Sequence, residues 1–331
     1  MALILAGCGQ FGTGARSVPP IPKIQSAGPA SSASGTLIVE PQAGPAPYLS
    51  LVQSARRSVD VNSYLLTDRA LVSALVQKAR AGVSVRVIVD GHPYEDQRAV
   101  SQERAEFAGT NVQFRLAPAE FERPYVFDHA KYVVVDAGRG GRAILGSSNL
   151  DYSGLGGGNR EYDYETADPG VVAALAAIFD ADWAGKSVQV DKSGPLVISP
   201  GSESQLVNLI QGARQRLYIE SEELGDDRPV LDAVAAAARR GVQVEMVLPN
   251  KLNWEDRRNA QELVNAGAKV KYLGRPYPHA KLIIADDRAF VGSQNISDSS
   301  LSRNREIGII IGGSAVNQAM RWFRQDFLLA R

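Results

Sequence analysis

Apolar positions along the chain follow two periods in a repeating order. Ser58 to Leu65 and Val83 to Asp90 carry runs of apolar residues that predict strands, and Arg69 to Ala81 between them has the spacing of an amphipathic helix. The same order returns at Arg216 to Ser221, Val230 to Arg240 and Val242 to Leu248. Glu95 to Ala108 and Trp254 to Ala266 predict the next helices, each leading through glycine to a short strand. Asp168 to Trp183 and Ser314 to Leu328 predict closing helices. Gly82 and Gly241 stand where a helix ends in a left-handed residue. Strands alternating with helices predict an α/β fold with mainly parallel sheets covered by helices.

The repetition extends to the letters. Leu37-Ile38-Val39-Glu40-Pro41 matches Leu196-Val197-Ile198-Ser199-Pro200, and Ala79-Arg80-Ala81-Gly82-Val83 matches Ala238-Arg239-Arg240-Gly241-Val242, both at an offset of 159 residues. A fused duplication follows, with one lobe over 36–190 and a second over 191–331. Two such lobes related by a pseudo-twofold axis would place corresponding edges at one shared cleft.

Each lobe carries the same candidate chemistry. His129-Ala130-Lys131 precedes Asp136, and His279-Ala280-Lys281 precedes Asp286. A Gly-Ser-x-Asn tetrad follows each, Gly146-Ser147-Ser148-Asn149 and Gly292-Ser293-Gln294-Asn295. Each set ends in Asn-Arg-Glu, at Asn159-Arg160-Glu161 and Asn304-Arg305-Glu306. On a strand, residues two apart face one side, so His129 with Lys131, and His279 with Lys281, would point into one cleft. Asp136 and Asp286 lie seven residues beyond the histidines and fall on the other face, as structural carboxylates near the strand end. The chain has three histidines, and two occupy these matched frames. The third, His92, has no counterpart in the second lobe and is expected to be incidental. Phe121, Tyr125 and Phe127, just before His129, are expected either to line an acyl-chain entrance or to cap the core.

This architecture resembles the phospholipase D superfamily, whose signature is two His-x-Lys-(x4)-Asp motifs, each with a downstream Gly-Ser-x-Asn. The resemblance covers nearly everything after about Thr36. One departure is a longer hairpin in the first lobe, with nine residues between Asp136 and Gly146 against five between Asp286 and Gly292. The resemblance implies an active site at the lobe interface and phosphodiester chemistry through a covalent phosphohistidine. It implies His129 as nucleophile and His279 as acid, the latter protonating the leaving alkoxide and then activating water or an alcohol. Glu161 and Glu306, 32 and 27 residues after their histidines, are expected to hold the imidazoles' other nitrogens. Lys131, Lys281, Asn149 and Asn295 are expected to stabilise charge on the phosphoryl oxygens, with Ser147 and Ser293 binding substrate.

Composition narrows the setting. Lysine plus arginine equals aspartate plus glutamate at 36 each, which weighs against a non-specific nucleic-acid binder without excluding a local basic groove. A single cysteine, Cys8, excludes an intrachain disulfide framework and a cysteine-based metal cluster, and no His-Glu-x-x-His pattern occurs. No metal and no cofactor are expected. Leu5-Ala6-Gly7-Cys8 resembles a bacterial lipoprotein cleavage box, which implies lipidation at Cys8 and a place in the cell envelope. Ala2 to Gly7 falls far below the ~18 apolar residues that cross a bilayer. The alternative is a chance match and a cytoplasmic protein. Residues 9–35, rich in Gly, Pro, Ser and Ala, read as a flexible tether spanning ~30 Å root-mean-square.

The function expected is that of a phospholipase D-like phosphodiesterase or phosphatidyltransferase. It would work as a single chain on phospholipid at a membrane surface, with water or an alcohol as acceptor. A metal-independent nuclease of the same superfamily is the alternative, with nucleic acid as substrate, since both substrates present the same diester.

Overall fold

The computed structural model describes residues 23–24, 35–94, 97–138, 140–186, 189–190 and 193–331. Cys8 and most of the expected tether lie outside the described residues. After β1 (Lys23–Ile24), the first lobe opens with β2 (Thr36–Glu40), α1 (Ala46–Ser54), β3 (Ser58–Ser63), α2 (Arg69–Arg80) and β4 (Ser84–Val89). Next come α3 (Gln97–Phe107) and β5 (Gln113–Leu116), then the motif strands β6 (Lys131–Val135), β7 (Arg142–Gly146) and β8 (Asn159–Thr166). Helix α4 (Pro169–Trp183) closes the lobe, and β9 (Gln189–Val190) pairs with β1. The second lobe runs β10 (Leu196–Ser199), α5 (Glu203–Gly212), β11 (Arg216–Ser221), α6 (Arg228–Arg239), β12 (Gln243–Pro249), α7 (Trp254–Asn265) and β13 (Lys269–Leu273). It continues through β14 (Tyr277–Pro278), β15 (Lys281–Ala285), β16 (Arg288–Gly292), the short α8 (Asp298–Ser302), β17 (Glu306–Ile311) and α9 (Ser314–Leu329).

The duplication is visible in the caps. Asp68 accepts from the Leu71 amide at 2.8 Å to start α2, and Asp227, 159 residues on, accepts from Val230 at 3.0 Å to start α6. Gly82 and Gly241 take φ of 88° and 86° just past the ends of those helices, where a side chain would strain the backbone.

Strand order is the same in both sheets: β2-β8-β7-β6-β3-β4-β5 and β10-β17-β16-β15-β11-β12-β13. Each sheet is mixed. The β-α-β half is parallel, β3 with β4 and β4 with β5, as are β11 with β12 and β12 with β13. The motif half is antiparallel, from β3 through β6, β7 and β8. The expectation of mainly parallel sheets therefore holds only for the half with helical crossovers. In the motif half the β6 to β7 connection, like that of β15 to β16, is a hairpin, which forces antiparallel pairing.

Among the described residues three apolar clusters hold the lobes together. One sits under α1 and α2 in the first lobe, and one under α5 and α6 in the second. The third joins the lobes, combining Tyr132, Leu145 and Tyr162 of the first sheet with Leu282, Val291 and Ile309 of the second, and with α4 and α9. The interface is thus a continuous core, and burial of this kind is the main stabilising contribution to holding two sheets face to face.

Candidate active site

Each lobe lends its neighbour a strand edge immediately before the motif. β14 runs parallel to the start of β8, pairing Tyr277 with Asn159 and Pro278 with Arg160. Reciprocally, Asp128 bridges Arg305, with the His129 amide donating to the Arg305 carbonyl and the Arg305 amide to Phe127, both at 2.9 Å. The ladders β6 and β15 begin at the lysines, so the histidines stand in the extended approach to their strands rather than within them.

This exchange decides which carboxylate meets which imidazole. His129 Nδ1 lies 3.0 Å from Glu306 Oε2, and His279 Nδ1 lies 2.6 Å from Glu161 Oε1. The expected glutamates do hold the histidines, but each holds the histidine of the opposite lobe. The arginines between Asn and Glu are exchanged too. Arg160 is clamped by Asp326 of α9, with Nε at 2.6 Å and Nη2 at 2.9 Å, and Arg305 reaches Asp182 of α4 at 2.7 Å. All four charged groups are buried. Further carbonyls accept from the guanidiniums, Glu40 from Arg160 and Ser199 from Arg305, while the buried Arg305 Nε has no hydrogen-bond partner among the described residues. The physical reason is that β8 and β17 reach the interface at their first residues, so side chains there project across the axis.

The hydroxyls of the tetrad serines are turned into the fold. Ser147 is fully buried and donates to Glu161 Oε2 at 2.7 Å, while accepting from the Tyr162 amide at 3.0 Å. Ser293 is fully buried between the Ile307 carbonyl and amide. Where substrate contacts are expected, both hydroxyls are engaged by β8, β17 and Glu161. In the second lobe Ser300 of α8 donates to Glu306, supplying what Ser147 supplies to Glu161. Gly146 and Gly292 open the tetrads because a Cβ would fall 2.2 Å from Asp163 Oδ1 in one and 2.6 Å from Gly308 Cα in the other. Asn149 and Asn295 present buried Oδ1 atoms without a hydrogen-bond partner, in matching positions of the two lobes.

Asp136 and Asp286 lie away from this chemistry. Asp136 accepts from the amides of Arg56, Arg57 and Ser58 at 2.7–2.9 Å, and Asp286 from those of Arg214, Gln215 and Arg216 at 2.7–3.0 Å. Three amide donors outweigh the effect of burial and hold both carboxyls below their ordinary range.

Burial dominates the electrostatics of the first pair. It pushes His129 down to about 4, with Lys131 and Lys281 adding and Glu306 opposing. It pushes the Lys131 ammonium down to about 7 against the pull of Glu306. Lys131 Nζ donates to the His129 carbonyl at 2.5 Å, and Lys281 Nζ to the His279 carbonyl at 2.7 Å. At pH 7 His129 is neutral, its Nδ1 hydrogen directed at Glu306 and its Nε2 lone pair free.

Two residues at the site have no precursor in the motifs. Tyr64 follows β3 and Glu222 follows β11, each one residue beyond the serine paired with the motif lysine. Tyr64 packs edge-on to the His129 ring at 4.8 Å, with Lys131 Nζ 5.0 Å from its centroid. Glu222 Oε2 sits 3.2 Å from His279 Nε2 and 2.7 Å from Lys281 Nζ. Their position just past the carboxyl end of a strand beside the motif was the available signal. Phe121 is buried beneath the Arg305 guanidinium and caps the core, Phe127 packs on Tyr64, and Tyr125 is exposed. His92 is exposed and bonded to Glu122 at 2.6 Å, outside the histidine pair. Among the described residues no group of three or more His, Cys, Asp or Glu side chains is arranged to hold a metal ion, and no helix is long and apolar enough to cross a membrane.

A family described as cardiolipin synthase, PLD-like domain, matches residues 48–183 and 206–327. The chain is 26% identical over 327 residues to the major cardiolipin synthase ClsA of Bacillus subtilis, covering 86% of this chain and 66% of that protein. It is 25% identical over 324 residues to cardiolipin synthase A of Pectobacterium atrosepticum, covering 84% and 65%. It thus spans just under two thirds of the length of these curated relatives. Among solved structures, phosphatidylserine synthase of Haemophilus influenzae Rd KW20 matches with a TM-score of 0.64 at 13% identity, over 92% of this chain and 88% of that one. Polyphosphate kinase of Porphyromonas gingivalis matches at 0.63 and 15% identity, over 87% and 49%. At these identities the structures share the fold. Since the family's two matched segments take in both lobes and both histidine motifs, the chain belongs to the cardiolipin synthase, PLD-like domain family of the phospholipase D superfamily.

Proposed function

We propose that the protein is a phosphatidyltransferase or phospholipase D-like phosphodiesterase that moves a phosphatidyl group through a phosphohistidine. The observation that carries this reading is the pair of histidines at the lobe interface, each with Nδ1 tied to a glutamate of the opposite lobe. His129 Nε2 attacks phosphorus and forms the P–N bond as the P–O bond to the leaving alkoxide breaks. His279 gives its proton to that oxygen. An alcohol or water then attacks phosphorus, returns a proton to His279 and frees His129. Lys131, Lys281, Asn149 and Asn295 stabilise the phosphoryl oxygens. Glu306 holds His129 in the tautomer that leaves Nε2 bare, and its own carboxyl, buried but facing His129, is held below its ordinary range.

The relatives' names, cardiolipin synthases, support phospholipid as substrate. The neutral overall charge supports the same choice over nucleic acid. Lipidation of Cys8 would tether the lobes to a bilayer, where headgroups reach the cleft; acyl chains would supply the anchoring. The test is a parallel assay on phosphatidylglycerol vesicles and single-stranded DNA in EDTA, with the His129→Ala protein as control. Vesicles turned over and DNA left intact is the expected result. DNA cleaved with vesicles intact would make the nuclease reading the better one.

A further inference from the structure

The two halves of the site are not equivalent. Where the first lobe sets the ring edge of Tyr64 against His129, the second sets a carboxylate against His279 and Lys281. His279 thereby has a carboxylate oxygen at each ring nitrogen, Glu161 at 2.6 Å and Glu222 at 3.2 Å. Carboxylates facing both ring nitrogens favour the imidazolium cation, opposed by the Lys281 ammonium 3.5 Å from Nδ1. His129 has a carboxylate at Nδ1 alone.

We propose that Glu222 is a positioning residue that stands in for a phosphoryl oxygen in the resting enzyme, keeping His279 protonated, and that leaves Lys281 and His279 when a phosphodiester binds. The proposal rests on the phosphodiester reading above and names what breaks the symmetry of its two histidines. Lys281 Nζ and His279 Nε2 are the donors a phosphoryl oxygen would need, and Glu222 Oε2 occupies both. Glu222 is ionised: burial opposes the charge, but His279 and Lys281 outweigh it and hold the carboxyl down at about 2. Its side chain keeps a quarter of its surface exposed, so an outward path exists. A substrate anion must therefore displace a like charge, Glu222, and the His279 cation left behind is ready to protonate the leaving oxygen.

Other charged groups share this space. Glu161 from β8, Tyr277 from β14 and Lys281 from β15 face the ring or Glu222, while Glu223 and Asp256 repel Glu222 electrostatically. Across the cleft stand His129, Lys131 and Glu306. Of these, only Glu222 touches both donors.

The test reads histidine protonation and anion binding on the full chain, which has only three histidines to assign. Nitrogen NMR of the unaltered protein at pH 7 should show His279 protonated on both nitrogens and His129 with a bare Nε2. Inorganic phosphate, titrated by calorimetry, should bind Glu222→Gln on the order of tenfold more tightly, the effect of removing one like charge from a partly buried site. A bare His279 nitrogen in the unaltered protein, or unchanged or weaker phosphate binding in folded Glu222→Gln, overturns the proposal. Neither readout uses lipid, so failure of the vesicle assay and failure here are separate results.

Discussion

Glu161 Oε1, in the first lobe, lies 2.6 Å from His279 Nδ1 in the second. With Glu306 on His129 the exchange is reciprocal, and neither lobe contains a complete acid-base unit.

Mutant behaviour should therefore group by contact and not by position in the chain. On a phosphodiester with a nitrophenol leaving group, which departs without a proton, His279→Ala should still release one equivalent of nitrophenol in a burst. Glu161→Gln should share that burst, while His129→Ala and Glu306→Gln lose it. On a lipid substrate either histidine replacement should lower turnover by ~100- to 10,000-fold, the usual worth of a positioned acid-base group. A burst retained by Glu306→Gln and lost by Glu161→Gln would contradict the exchange.

The pH profile follows from two groups that burial pushes down. His129 attacks only when neutral, so kcat/KM should fall as pH drops through about 4. Lys131 holds phosphoryl charge only when protonated, so the profile should fall again as pH rises through about 7. Measured on the free enzyme, this gives a bell whose alkaline limb flattens in Lys131→Arg. An alkaline limb unmoved by that change would remove Lys131 from the assignment.

The exchanged arginines should govern stability. Asp326→Ala leaves the Arg160 guanidinium buried without its carboxylate and should cost about 3–5 kcal/mol in denaturant unfolding. Asp182→Ala should do the same through Arg305. A loss below ~1 kcal/mol in either protein would show that the remaining carbonyl partners suffice.

Asp136→Ala removes an acceptor from three backbone amides far from the histidines. It should cost about 1–3 kcal/mol of stability while sparing kcat. Because the folded carboxyl is held below its ordinary value, its contribution is present at neutral pH and is lost on acidification through the folded value. Selective loss of kcat in a stable Asp136→Ala protein would return the aspartate to the active site.

His92→Ala should change turnover by no more than a few-fold, on the scale of a surface substitution. The ring is exposed and pairs with Glu122 outside the histidine pair. A folded, inactive His92→Ala protein would overturn the assignment of roles.

The sequence by itself determined the duplication, the order of strands and helices, and the paired His-Lys motifs at the cleft. Those are local matters: period, caps at Asp68 and Asp227, and motif spacing are written within a few residues. Strand alternation alone turns Asp136 and Asp286 away from the histidines, and in the structure they accept from backbone amides leading into β3 and β11. Only the tertiary structure decided the partners. Glu161 is separated from His279 by more than a hundred residues, and nothing in a linear repeat distinguishes pairing within a lobe from pairing across the axis. The same holds for the tetrad serines, whose hydroxyls turned out to be spent on Glu161 and on the backbone of Ile307. Tyr64 and Glu222 show the limit most clearly: they match in position and differ in kind, so a search for repeated residues passes over a place where the two halves of the site diverge.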